Sequence, residues 1–270
     1  MEARARGAGG PPSSAAAGAG PVHRALAAEL DRVRADRPGH RPIVVDVGGG
    51  SGGWAVPLAR RGCAVTVVDN SPNALAALQQ RARDAGVHEL VTPVQGDVDA
   101  LAEAVPAAGA DLVLGHGLLE VVDDAAAAVA ALCAASAPGA AVSVLVAGRY
   151  GAVLGRTLGG RLAEARALLT DPEGRFGPQD ALRRRLDAHA LRSLLEACEL
   201  RIERLQGDGV LEAWIPGSVR DGGPAATAAV TDLEELAAAA APLLEVAARL
   251  HAMARRPEGP ADGSPAVSGR

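Results

Sequence analysis

The 270-residue chain reads as an α/β protein with a mainly parallel, doubly wound sheet. Three observations point there. Short apolar runs suited to buried strands alternate with longer stretches of helical periodicity, an order that produces parallel strands covered by helices on both faces. The first run, Ile43–Val47, breaks directly into the turn Gly48-Gly49-Gly50-Ser51-Gly52. The second run, from Ala64 to Val68, ends on the carboxylate Asp69.

The elements follow in order. A helix over about 21–35 leads into the strand 43–47, and a helix over 53–61 leads into the strand 64–68. Ser71-Pro72-Asn73 opens a helix over 73–86, because Ser71 can cap it and Pro72 presets the first turn. Strands at 90–94 and 111–114 come next, then a helix over 123–135 closed by Pro138-Gly139, and a fifth strand at 141–147. Alternation lapses over 148–180, a Gly- and Arg-rich stretch longer than an ordinary connection and so a candidate substrate-covering insertion. It resumes with a helix over 187–198 and strands near 200–206 and 209–215. Thr231-Asp232-Leu233-Glu234 has capping-box spacing and predicts a helix over 232–240. For 250–255, periodicity leaves helix and strand both open. Residues 1–21 and 258–270 are low in complexity and predict disordered tails around a single domain over 22–257.

Composition narrows the function classes. The chain is 49% hydrophobic but only 1% aromatic, so its core must be built from Ala, Val and Leu. A net charge of −5 supplies no global field for a polyanion. Cys63, Cys133 and Cys198 are odd in number, far apart and set in apolar stretches, as reduced core thiols are. Neither a disulfide framework nor a metal site is expected. No apolar run reaches membrane-span length, and the Ala-rich opening lacks a signal-peptide core, so a soluble cytoplasmic protein is expected.

The chemistry-bearing residues sit at predicted strand ends. In Asp46-Val47-Gly48-Gly49-Gly50-Ser51-Gly52 the missing Cβ atoms let the backbone approach a ligand as a helix begins. Gly48, Gly50 and Gly52 are spaced two apart behind an acid, unlike the Gly-x-Gly-x-x-Gly of nicotinamide sites, and this is the spacing of class I methyltransferases that use S-adenosyl-L-methionine (AdoMet). Asp69, followed by Asn70, can accept hydrogen bonds from both hydroxyls of a ribose. Asp97-Val98, after the third strand, can receive an adenine amine. No phosphate cradle ending in Gly-Lys-Ser/Thr is present, which favours a nucleoside over a nucleoside triphosphate. His116, just past the fourth strand, lies at the rim where its backbone can meet the cofactor, its ring can line the pocket, and proton transfer is conceivable. The Asn/Asp-Pro-Pro-Tyr/Phe and Pro-Cys motifs of base methylation are missing, which leaves oxygen as the better acceptor.

The segments Asp46–Gly52, Val67–Ser71, Leu114–Glu120 and Gly148–Val153, continuing through Gly209-Val210-Leu211 to Leu250–Pro257, resemble the bacterial tRNA 5-carboxymethoxyuridine methyltransferases. The likeness spans about 22–257, and only its later segments are particular to that subfamily. It implies a seven-stranded, Rossmann-like class I methyltransferase fold, AdoMet as cofactor and transfer of methyl to a carboxylate on a wobble uridine. It also implies a cofactor site lined by Gly48, Gly49, Gly50, Gly52, Asp69, Asp97, Val98 and His116, with Arg24 pairing with the AdoMet carboxylate and a final strand at 250–256. Val146-Ala147-Gly148 departs from the family pattern, which leaves the acceptor open.

An ionised carboxylate needs no base, so catalysis can rest on alignment. Arg149, Tyr150 and Arg156 are the candidates for holding an anionic acceptor, since a guanidinium fork matches a carboxylate. Arg183-Arg184-Arg185 could touch RNA or simply be solvated, and Tyr150, Phe176, Trp54 and Trp214 are few platforms for base stacking. The acceptor is thus tRNA or a small acid, with no DNA or membrane partner. A non-catalytic AdoMet-binding protein is the third class, disfavoured by the intact turn and Asp69.

Overall fold

The computed structural model describes residues 20–258, so nearly all of both expected tails lies outside the described residues. The elements are α1 (Pro21–Asp36), β1 (Ile43–Val47), α2 (Ala55–Arg60), β2 (Ala64–Asp69), α3 (Pro72–Asp84), β3 (Val91–Gln95), α4 (Leu101–Ala104), β4 (Ala110–His116), α5 (Ala125–Ala135) and β5 (Ser136–Ala147). Beyond these come α6 (Arg149–Leu158), α7 (Leu162–Thr170), α8 (Ala188–Glu196), β6 (Arg201–Asp208), α9 (Gly217–Arg220), α10 (Pro224–Ala239), α11 (Ala241–Leu244) and β7 (Arg249–Arg255).

Seven strands form one sheet in the order β3-β2-β1-β4-β5-β7-β6. The first five are parallel, while β7 runs antiparallel between β5 and β6. The α/β doubly wound class is therefore the observed one, and the open reading of the C-terminal segment resolves to a strand. Alternation along the strands divides the apolar side chains between two layers. Val44, Leu112, Leu114 and Leu145 pack with Leu26 and Leu30 of α1, Leu58 of α2 and Leu78 of α3. Val45, Val113, Val142 and Val144 pack with Leu132 of α5 and Leu191 and Leu195 of α8. Each fully buried Leu contributes about 1.5–3 kcal/mol, so two aliphatic layers replace the missing aromatic anchors.

Local signals explain most boundaries. Ser71 caps α3 by accepting from Ala74 N at 3.2 Å, and Asp124 caps α5 by accepting from Ala127 N at 2.9 Å. Three expectations are corrected. Pro138-Gly139 lies inside β5 rather than in a loop, beside a register irregularity of the β4–β5 ladder, where a residue without an N–H is tolerated. Residues 209–215 are not a strand: the chain turns at Gly209, and the N–H groups of Val210, Leu211 and Glu212 donate to the buried carboxylate of Glu234. That use of Glu234 also explains the failed capping box, since α10 starts at Pro224 and Thr231 lies mid-helix, donating to Thr227 O at 2.9 Å.

Candidate active site

The strand order reverses between β1 and β4, and open α/β sheets bind ligands in the crevice at such a switch point. A cleft of about 400 Å³ opens there, bounded by Gly48, Asp69 and Asn70, Asp97 and Val98, and Gly117 and Leu118. Asp99, Asp123 and Arg183 also line it and were not anticipated, because nothing in their local sequence distinguishes them from solvated turn residues.

The turn after β1 has backbone that only glycine adopts freely: φ is +70° at Gly48, +56° at Gly50 and +80° at Gly52. Gly48 N donates to Val68 O at 2.7 Å, tying the turn to β2. Asp69 Oδ2 accepts from Gly50 N at 2.8 Å and its Oδ1 from Ser71 N at 2.9 Å. Each carboxylate oxygen keeps a second lone pair, the number needed for two ribose hydroxyls. Asn70 Nδ2 lies 3.5 Å from Asp97 Oδ2 across the same cleft.

Asp46 lies beneath the turn, 1% exposed, with neither carboxylate oxygen hydrogen-bonded among the described residues. A Cβ on Gly49 would come within 2.5 Å of its Oδ2, so the glycine is what lets the carboxylate sit there. Burial, with the charge of Asp69 adding to it, holds its pKa up at about 7. The sign follows directly. A carboxyl raised from 3.8 to about 7 on folding contributes stability below pH 4 that is lost as pH rises through 7. Asp46→Asn removes that loss. Denaturant titrations of the variant and the parent should therefore diverge in favour of the variant by about 3–5 kcal/mol between pH 4 and pH 8, at ~1.4 kcal/mol per pK unit; a pH-independent difference contradicts the assignment.

His116 ends β4 with its ring edge-on to Trp54 at 4.7 Å between centroids, and Trp54 in turn lies 4.4 Å from His23 of α1. Its Nε2 is 2.8 Å from Ser143 Oγ on β5, while its Nδ1 is buried without a hydrogen bond among the described residues. Burial, with smaller contributions from His251 and Arg249, pushes its pKa well below the usual imidazole value. A neutral ring results, poorly suited to taking a proton near pH 7.

The other predicted residues are placed differently. Arg24 pairs through Nε with Glu235 of α10 at 3.1 Å. The insertion after β5 is the helical pair α6 and α7, and Arg149 fastens it by donating to the carbonyls of Leu168, Leu169, Asp171 and Pro172 at the end of α7. That corrects its reading as an acceptor clamp, because orphan carbonyls at a helix C-terminus attract a guanidinium. Arg156 lies over the Phe176 ring at 4.3 Å and pairs with Glu164, and Tyr150 is partly exposed on α6. The Arg183–Arg185 run divides: Arg183 is exposed, whereas Arg184 and Arg185 are taken up by the fold. Arg184 donates to the carbonyls of Leu119, Val122 and Asp123, Arg185 forms a buried pair with Asp180, and Arg183 meets Asp123 at the cleft.

Residues 44–139, from β1 into β5, match the family model of a methyltransferase domain. Over this stretch the chain is similar to a methyltransferase domain. The match covers the half of the sheet that builds the cleft and stops before α6, so the insertion and β6–β7 lie outside it. No curated protein matches the chain. Among solved structures, magnesium protoporphyrin IX methyltransferase (ChlM) from Synechocystis PCC 6803, with bound SAH, is 15% identical with a TM-score of 0.55, covering 86% of this chain and 82% of that one. A SAM-dependent methyltransferase from Methanosarcina mazei gives 15% and 0.55, covering 84% and 98%. The [4+2]-cyclase SpnF gives 22% and 0.53, covering 88% and 83%. At these identities the likeness is one of fold, and a cyclase among the neighbours shows that the fold alone does not set the reaction.

The residues present fit AdoMet. Asp69 offers two acceptors for a ribose, Asp97 and Val98 close the far end of the cleft, and the unpaired carboxylate of Asp46 beneath the turn suits a ligand that brings positive charge. Among the described residues no cluster of His, Cys, Asp or Glu could hold a metal ion. No helix among them is long and apolar enough to cross a membrane.

Proposed function

We propose that the protein O-methylates a carboxylate on a small-molecule acid. Bound AdoMet supplies an electrophilic methyl on a sulfonium. The chain's own residues hold and align: the Gly48–Gly52 turn and Asp69 hold the nucleoside, Trp54 and His116 stack edge to face next to the turn, and α6 and α7 follow the carboxyl end of β5. Alignment of this kind contributes as much as ~7–11 kcal/mol in favourable model reactions.

The observation that carries this reading is the state of His116. The imidazole that ends β4, one residue before Gly117 of the cleft, is buried, held neutral and engaged through Nε2, which favours an acceptor that arrives already ionised. A second observation favours a small acid over a tRNA wobble uridine: Arg149 and Arg156 of the insertion and Arg184 and Arg185 after it are all engaged within the protein, which weakens the case for a phosphate-tracking surface there. The discriminating experiment incubates the protein with methyl-labelled AdoMet and a fractionated cell extract. Label released by mild base from small acids is the expected result. Ribonuclease-sensitive label in tRNA would favour the wobble-uridine reading, and transfer into neither fraction would favour a non-catalytic AdoMet-binding protein.

A further inference from the structure

A buried polar row crosses the sheet on the α1 side. His116 Nε2 lies 2.8 Å from Ser143 Oγ, Ser143 Oγ lies 2.8 Å from His251 Nε2, and Gln206 Nε2 lies 3.1 Å from His251 Nδ1. The four residues come from β4, β5, β7 and β6 in the sheet's own order and are 9%, 0%, 0% and 6% exposed. Polar groups this deep in an aliphatic layer are costly unless every hydrogen bond has a direction.

The direction follows from the donor inventory. The Gln206 side-chain nitrogen only donates, so His251 Nδ1 accepts and the proton of its neutral ring sits on Nε2. That proton goes to Ser143 Oγ, and the serine hydroxyl then points its own hydrogen at His116 Nε2. The proton of a neutral His116 must therefore sit on Nδ1, which is buried and has no hydrogen-bond partner among the described residues. We propose that Gln206, His251 and Ser143 are positioning residues that hold His116 as its Nδ1–H tautomer, presenting a hydrogen-bond donor to a carboxylate oxygen of a bound ligand. The inference rests on the AdoMet methyltransferase reading for its ligand but not for its tautomer. The carboxylate is that of the cofactor's amino-acid end or that of the acceptor. A protonated amine, a donor itself, finds no partner at this nitrogen.

Long-range proton–nitrogen NMR of the full chain labelled at its six histidines tests this directly, with His116 assigned through a His116→Gln variant. Expected are neutral rings with the proton on Nδ1 of His116 and on Nε2 of His251. Ser143→Ala should scatter His116 between its two tautomers, and Ser143→Thr should restore the single one, a change that loss of packing alone would not produce. If Ser143→Ala does not fold, Gln206→Leu serves, and should scatter His251 as well. S-adenosyl-L-homocysteine (AdoHcy), 5′-methylthioadenosine, which lacks the amino-acid end, and sodium acetate added to the methylthioadenosine-loaded protein separate the two sources. A His116 Nδ1–H shift with AdoHcy alone assigns the cofactor carboxylate, and one appearing only with acetate assigns the acceptor's. The responding carboxylate should bind about tenfold more weakly to Ser143→Ala, the equivalent of one hydrogen bond. A proton on His116 Nε2, as when the Gln206 amide is turned over and the row runs backwards, overturns the proposal, as does an Nδ1–H that no carboxylate moves. Were neither nucleoside to bind while acetate still shifted the Nδ1–H, the cofactor reading would fail and the tautomer assignment would stand.

Discussion

Replacing Asp69 by Ala is expected to weaken AdoHcy binding by about two to three orders of magnitude. The carboxylate accepts from Gly50 N and Ser71 N and keeps two lone pairs directed at the cleft, so its loss removes two charge-assisted hydrogen bonds to a ribose, each ~1.5–3 kcal/mol, and also loosens the turn. Isothermal titration calorimetry checks the size of the effect. Asp69→Asn separates the two parts, because a carboxamide keeps one acceptor oxygen and should leave affinity between that of the parent and that of the Ala variant. An Ala variant that binds within a factor of three of the parent would remove Asp69 from the site.

Gly52→Ala should destabilise the free protein by about 2–5 kcal/mol. A Cβ there would come within 2.3 Å of Leu78 Cδ1, and the residue has φ +80°. The left-handed backbone costs a non-glycine residue ~1–2 kcal/mol, and overpacking against a fully buried Leu adds ~1–3 kcal/mol. Leu78 is 0% exposed in the layer that joins α3 to the sheet, so it has little room to retreat. Urea unfolding should show a lower midpoint with an unchanged slope, and Gly52→Ala should cost less in a Leu78→Ala background than in the parent if the clash is the cause. A single variant as stable as the parent would mean the turn does not pack as described.

The two predictions concern a part of the molecule that was legible in the sequence. The motif Asp46–Gly52 and the acid at Asp69 are local in the chain, and a strand followed by a glycine turn leaves few alternatives. The same holds for the capping serine of α3 and for the five parallel strands. What escaped was long-range. The Glu234 carboxylate serves N–H groups 22 to 24 residues away, and nothing in Thr231–Glu234 reveals that the chain folds back. Arg149, Arg184 and Arg185 looked like free cations because their carbonyl and carboxylate partners are assembled only by the fold. Ser143, His251 and Gln206 are single polar residues in apolar or mixed strands, and only the sheet order brings them to His116.

These long-range arrangements also divide the molecule by function. The first five strands carry the cleft, whereas β6 and β7 supply Gln206 and His251 behind Ser143 and His116, and α6 and α7 form the insertion after β5. Change of acceptor between related enzymes is expected to be written in that second half.

The most direct test of the central claim is a crystal structure of the full chain with AdoHcy. It should show the ribose hydroxyls on the Asp69 carboxylate, the adenine beside Asp97 and Val98, and the amino-acid end between the Gly48–Gly52 turn and His116. A nucleoside bound elsewhere, or a cleft that stays empty at saturating AdoHcy, would contradict it.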